Sequence, residues 1–242
     1  MKHNQFLSLT LAAALLLTGC GASSSVASGE TGSETAAPAP TQAPAGSIAD
    51  TATDAETTGT ADGSHILIAY FTAANNSGVD AVASASVSTI DGVPMGRVEA
   101  IARMIQDNTG GDLFSIQTSV VYPADGGELI DYAAEEQDQN ARPELTNQIE
   151  NFDQYDVVFV GYPNWWADLP MVMYSFFNEY DFSGKTIIPF NVHNGSRFSR
   201  TIETIQELEP GATVITDGFT VNENDVPEAA ADVAAWVEEL GY

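Results

Sequence analysis

The sequence predicts a doubly wound α/β domain over residues 65–242, with helices on both faces of a five-stranded parallel sheet. Three observations carry this. Short, nearly unbroken apolar runs such as His65–Phe71 and Asp156–Gly161 read as strands buried on both faces. Segments with apolar residues at helical spacing separate such runs. The two kinds of segment alternate along the chain, and right-handed crossovers then bring helices onto both faces.

The elements follow in order. His65-Ile-Leu-Ile-Ala-Tyr-Phe71 is the first strand. Residues 79–96 are small and polar, with Asp91-Gly92 as a turn signal and Pro94 beyond it. Val98, Ile101, Ala102 and Ile105 mark a helix that stops at Gly110-Gly111. Asp112–Thr118 alternates and reads as the second strand. Leu129, Ile130, Ala133 and Ala134 mark a helix ending before Pro143. Asp156–Gly161 is the third strand. Pro170–Tyr180 is apolar on most sides, with proline suited to a first helical turn. Thr186–Phe190 is the fourth strand, and Pro189 within it removes one ladder donor. Thr201–Leu208 is a short helix and Ala212–Thr216 the fifth strand. Val226, Ala229, Ala230, Val233, Val237 and Leu240 form an amphipathic last helix.

The residues before this domain suggest a location. Lys2 and His3 precede an apolar run, Phe6–Leu17, too short to span a bilayer. It ends in Leu17-Thr18-Gly19-Cys20, which resembles a bacterial lipobox. Residues 1–20 are therefore expected to be a lipoprotein signal peptide with Cys20 lipidated. Residues 21–64 are Gly, Ala, Ser, Thr and Pro with scattered acids, a composition expected to stay disordered as a tether. The expected location is extracytoplasmic, with the chain lipid-anchored to the bacterial cell membrane. Cys20 is the only cysteine, so an intrachain disulfide is excluded.

The formal charge of −27 argues against nucleic acid and against electrostatic binding to anionic lipid. Contact with the membrane is thus expected through the N-terminal lipid only. No metal site is expected, because His65 and His193 have no third ligand near them in sequence.

In doubly wound sheets ligands bind beyond the carboxyl ends of the strands, at the switch point. The loops after strands one, three and four are unusual for plain connectors. The first, Thr72-Ala73-Ala74-Asn75-Asn76-Ser77, has hydroxyls, amides and small residues. These are the parts of a neutral anion-cradling nest, and equally of an ordinary polar turn. The second, Pro163-Asn164-Trp165-Trp166, places two adjacent indoles just after a buried strand. One can pack inward while the other offers a flat face to an aromatic ligand. The third has Asn191, His193, Asn194, Gly195 and Arg197, where Gly195 permits close backbone approach. His193 reads as a hydrogen-bond anchor or proton donor, or as a structural histidine. No catalytic side chain is singled out.

At these residues the chain resembles the flavodoxin-like proteins, in particular the branch found as exported lipoproteins. "DLFSIQT", "YDVVFVGYPNWW", "YDFSGKTIIPF" and "HNGS" are similar to recurrent stretches of that branch. The resemblance implies strand order 2-1-3-4-5 and FMN as cofactor. It implies an electron-transfer role with a redox partner protein or a small quinone-like acceptor. An FMN-dependent quinone or nitro reductase, or a flavin-free binding lipoprotein, are the alternatives. The family's phosphate loop reads Ser/Thr-x-Thr-Gly-Asn-Thr. Thr72, Asn76 and Ser77 match it, whereas Ala74 replaces a hydroxyl and Asn75 the glycine. In the family the helix follows this loop directly; here residues 78–95 come between.

Overall fold

The computed structural model describes residues 65–77, 87–90 and 92–242. The expected signal peptide, Cys20 and most of the residues 78–95 lie outside them, as does the 21–64 tether. In chain order the elements are β1 (His65–Tyr70), α1 (Ala73–Ser77), β2 (Val87–Ile90), β3 (Val93–Gly96) and α2 (Arg97–Thr109). There follow β4 (Asp112–Ser115), α3 (Gly126–Asp138), β5 (Tyr155–Pro163), α4 (Met171–Glu179) and β6 (Thr186–His193). The chain ends with α5 (Thr201–Leu208), β7 (Thr213–Val214), β8 (Phe219–Asn222) and α6 (Ala230–Leu240). Among the described residues no helix is long and apolar enough to cross a membrane.

The main sheet runs β4-β1-β5-β6-β7, with β8 also pairing β6, and every pairing is parallel. Taking β7 and β8 together as strand five, this is the expected order 2-1-3-4-5. Alternation along each strand feeds two cores. Leu67, Ala69, Val158, Val160 and Ile187 pack with α3, α4 and α5 on one face. Ile68, Val157, Phe159, Ile188 and Phe190 pack with α2 and α6 on the other. Each fully buried Leu, Ile or Phe contributes about 1.5–3 kcal/mol. Gly161 is required here, since a Cβ would lie 2.1 Å from the Phe190 ring.

The fifth strand differs from the expected Ala212–Thr216. It is split into β7 and β8, opposite Pro189. Ile215 N–H donates to the Ile187 carbonyl and Glu223 N–H to the His193 carbonyl, both at 2.9 Å. Bonding alternates sides along a parallel strand, so Pro189 also faces the fifth strand. Its missing N–H falls where the pairing is interrupted.

Residues before α2 also fold beyond expectation. β2 and β3 form an antiparallel hairpin with Ile90 paired to Val93, and Gly92 lies between them; Asp91, the other residue of the expected turn signal, is outside the described residues. Gly92 has φ +81 there. At the other end of α2, Gly110 takes φ 69 as a left-handed cap and donates to Gln106 O. Asp125 caps α3, accepting from the Gly127 and Glu128 amides.

Candidate functional site

The loops after β1, β5 and β6 leave the same carboxyl edge of the sheet, with β1, β5 and β6 adjacent in it. Thr72 is fully buried and Ala73 nearly so. Residues 73–77 wind into α1, whose start is marked by Asn75 N–H donating to Thr72 O at 3.2 Å. The segment is thus helical, as its two alanines favour. Ala74 and Asn75 are half-buried, and Asn75 Nδ2 donates to Ser115 Oγ of β4 at 3.1 Å. The side chains of Asn76 and Ser77 are outside the described set.

Gly96 adjoins Thr72, although the chain between them makes a hairpin. A Cβ on Gly96 would lie 2.6 Å from Thr72 Oγ1. The long helix α2 therefore begins beside Thr72, as a helix following the loop directly would. The amides of its first turn carry the positive end of the dipole.

The second loop splits its tryptophans. Trp165 is buried, with its ring 5.7 Å from Phe71 and 5.4 Å from Tyr122, both edge-on. The Phe71 contact ties the first loop to the second. Trp166 is 56% exposed, and its Nε1 donates to Ile130 O of α3 at 2.9 Å. The indole is thereby pinned by its edge. Trp165 and Asp168 exchange two backbone hydrogen bonds, closing a tight turn over Trp166 and Ala167. Both turn residues have positive φ, 53 and 63. This left-handed pair usually calls for Asn-Gly.

Asp168 anchors that turn from below. Its carboxylate accepts from Leu169 N–H (2.9 Å), Thr204 Oγ1 (2.8 Å) and Tyr174 OH (3.1 Å), and pairs with Arg200 Nε at 3.5 Å. The sequence reading did not single out Asp168 or Gly96. Each had a signal: a lone acid in an apolar loop, and a glycine just before a helix.

The third loop is clamped to the second. Asn164 Nδ2 donates to Arg197 O at 2.5 Å, and Asn191 Nδ2 to the same carbonyl at 2.9 Å. Pro163 and Asn191 are buried, while Asn194, Gly195 and Arg197 are exposed. Gly195 has φ 89 and donates its N–H to His193 Nδ1 at 2.9 Å. That bond leaves the imidazole proton on Nε2. Burial, and then the nearby Arg197 charge, lower the His193 pKa, with Asp225 opposing. The ring is therefore neutral at pH 7.

The structure brings together Phe71–Thr72, the tryptophan pair and the His193 loop. A hydroxyl beside a helix start, an exposed indole and a tight polar loop fit the phosphate and the planar ring of a flavin nucleotide. The side chain of Asn75 is turned to β4 and is not available in this arrangement.

The flavodoxin family model matches residues 84–240. Among solved structures, a candidate flavoprotein of Bacteroides uniformis is 23% identical, with TM-score 0.57, over 73% of this chain and 99% of that one. One from Bacteroides eggerthii is 26% identical, with TM-score 0.52, over 71% and 98%. A Lactobacillus acidophilus flavoprotein, solved in complex with FMN, is 15% identical, with TM-score 0.50, over 68% and 97%. Among curated proteins none matches the chain.

Proposed function

Because the chain belongs to the flavodoxin family, we propose that it binds FMN and carries electrons as a lipoprotein at the outer face of the cell membrane. The observation that carries this is the outward indole of Trp166 at the switch point, held by Ile130 on a loop that Asn164 clamps to the His193 loop. The FMN complex of the Lactobacillus acidophilus protein supports it through the shared fold.

The Thr72 hydroxyl and the backbone at the starts of α1 and α2 would hold the phosphate. Trp166 would stack on the ring, and the backbone of Asn191–Arg197 would line its edge. FMN, when bound, supplies the acceptance and release of electrons. The chain would orient the ring and exclude water beneath it through Trp165 and Phe71, and electron transfer needs no side chain to act as acid or base. Electrons pass to a redox partner protein or a small quinone-like acceptor. The acidic surface favours a basic partner. Residues 1–20 act as the signal, Cys20 takes the lipid and residues 21–64 form the tether.

The test is a titration of FMN into the full chain carrying Cys20→Ser. Saturable quenching of flavin fluorescence is expected, with Trp166→Ala weakening affinity about two- to tenfold. A folded protein that shows no saturation at micromolar FMN overturns the reading. Anchoring is checked separately by incorporation of an alkyne-labelled fatty acid in cells. Label must be present in the parent and lost in Cys20→Ser.

A further inference from the structure

A cavity of about 480 Å³ lies at the His193 loop, where β6 and β8 end and α6 begins. Its size falls in the range of small-molecule sites, about 300–1,000 Å³. His193, Arg197 and Thr220 line it together with Asp225, Glu228 and Asp232. The charges are mixed, with three carboxylates and one guanidinium.

These opposite charges share the cavity but do not pair. Among the described residues the ion pairs are Arg103–Glu99 and Arg200–Asp168, and neither involves this cavity. Acids at a helix start are commonly explained by the dipole, and Asp232 sits in the first turn of α6. That accounts for neither the cavity nor its histidine. His193 is only 7% exposed, and its Nδ1 is taken by Gly195. Its protonated Nε2 has no hydrogen-bond partner among the described residues and is not sealed from solvent, so it is open to a ligand in the cavity. Thr220 Oγ1, in contrast, is buried there without a partner, where a polar group ordinarily finds one.

The two ends differ in what they recognise. Arg197 and His193 Nε2–H are donors suited to a carboxylate. Asp225, Glu228 and Asp232 are acceptors suited to an ammonium. No group of three acid, His or Cys side chains among the described residues converges to hold a metal ion, so the acids match a more extended cation. We propose that this cavity binds a small organic zwitterion, with its carboxylate at Arg197 and His193 and its ammonium at the carboxylates leading into α6. The cavity shares the His193 loop with the proposed flavin site but is not lined by Trp166, and the inference does not require FMN to bind.

The experiment is calorimetric titration of the full chain carrying Cys20→Ser, with and without FMN. The probes are glycine, γ-aminobutyrate and ε-aminocaproate, with butylamine and butyrate as the two halves. At least one amino acid is expected to bind saturably, about tenfold or more tighter than either half. Arg197→Gln and Asp232→Asn should each weaken that binding about tenfold. Asp232→Asn should leave the FMN titration unchanged. The zwitterion should also shift the His193 side-chain resonances. Absence of saturable binding by all three amino acids overturns the proposal. So does butylamine binding as tightly as they do, or binding unaltered in both variants.

Discussion

The carboxylate of Asp168 collects three hydrogen bonds and an ion pair from four different places in the chain. Its removal takes the shared acceptor from the buried Thr204 hydroxyl and the part-buried Tyr174 hydroxyl. Asp168→Ala is therefore expected to cost about 2–4 kcal/mol in urea unfolding. Gly96 gives a sharper test. Gly96→Ala must displace Thr72, because its Cβ would lie 2.6 Å from the hydroxyl. The expected destabilisation is about 1–3 kcal/mol. If Thr72 holds the phosphate, FMN affinity must fall as well; a change in stability with affinity intact removes Thr72 from that role. Neither residue was legible as a site residue in the sequence. Their deciding partners are distant in sequence, at Arg200 and Thr204 for one and Thr72 for the other, and no local pattern encodes such contacts. The split of the Trp165-Trp166 pair, one indole packed inward and one outward, was legible, because two indoles beside a fully apolar strand leave few arrangements.

Periodicity exposed the strands that form the centre of the sheet, β1, β5 and β6, since both their faces are buried. It exposed α2, α3 and α6 for the complementary reason, each having a wet face. It failed where the determinants are not periodic. β2 and β3 are short and paired only with each other, so only the turn between them showed. The interrupted fifth strand follows from the missing donor of Pro189 on its neighbour, a cross-strand effect. α1 was read as a loop because hydroxyl and amide residues favour turns, and there the backbone instead continues into a helical turn. The Trp166-Ala167 turn contains a strain that the sequence hints at only by lacking glycine. Left-handed backbone costs a non-glycine residue about 1–2 kcal/mol, partly offset by the extra unfolded-state freedom of glycine. Ala167→Gly should thus raise stability by about 0.5–1 kcal/mol in thermal unfolding, with the Trp166 indole kept in place.

Across the whole molecule, burial sets an unusual response to pH. Glu136 on α3 is buried, and desolvation raises its pKa from 4.5 to about 7, with the Tyr122 hydroxyl bond pulling the other way. Glu209 is raised to about 7 by desolvation and by the Asp181 charge. A raised acid binds its proton more tightly when folded than unfolded. Its stabilising contribution is complete below pH 4.5 and is lost as pH rises through about 7. Unfolding free energy should therefore fall from pH 5 to pH 8. Glu136→Gln, which keeps the shape and removes the titration, should flatten that slope as followed by urea midpoints. An unchanged slope rejects this assignment. The sheet's margins have a further consequence. β4 has four residues, and the chain beyond it is covered by residues 144–147 through the Thr118–Leu145 bridge. On the opposite margin Pro189 leaves only two- and four-residue pieces, β7 and β8. Neither margin offers a foreign strand a long ladder to extend, so copies of the chain at high concentration can crowd without templating one another into aggregates.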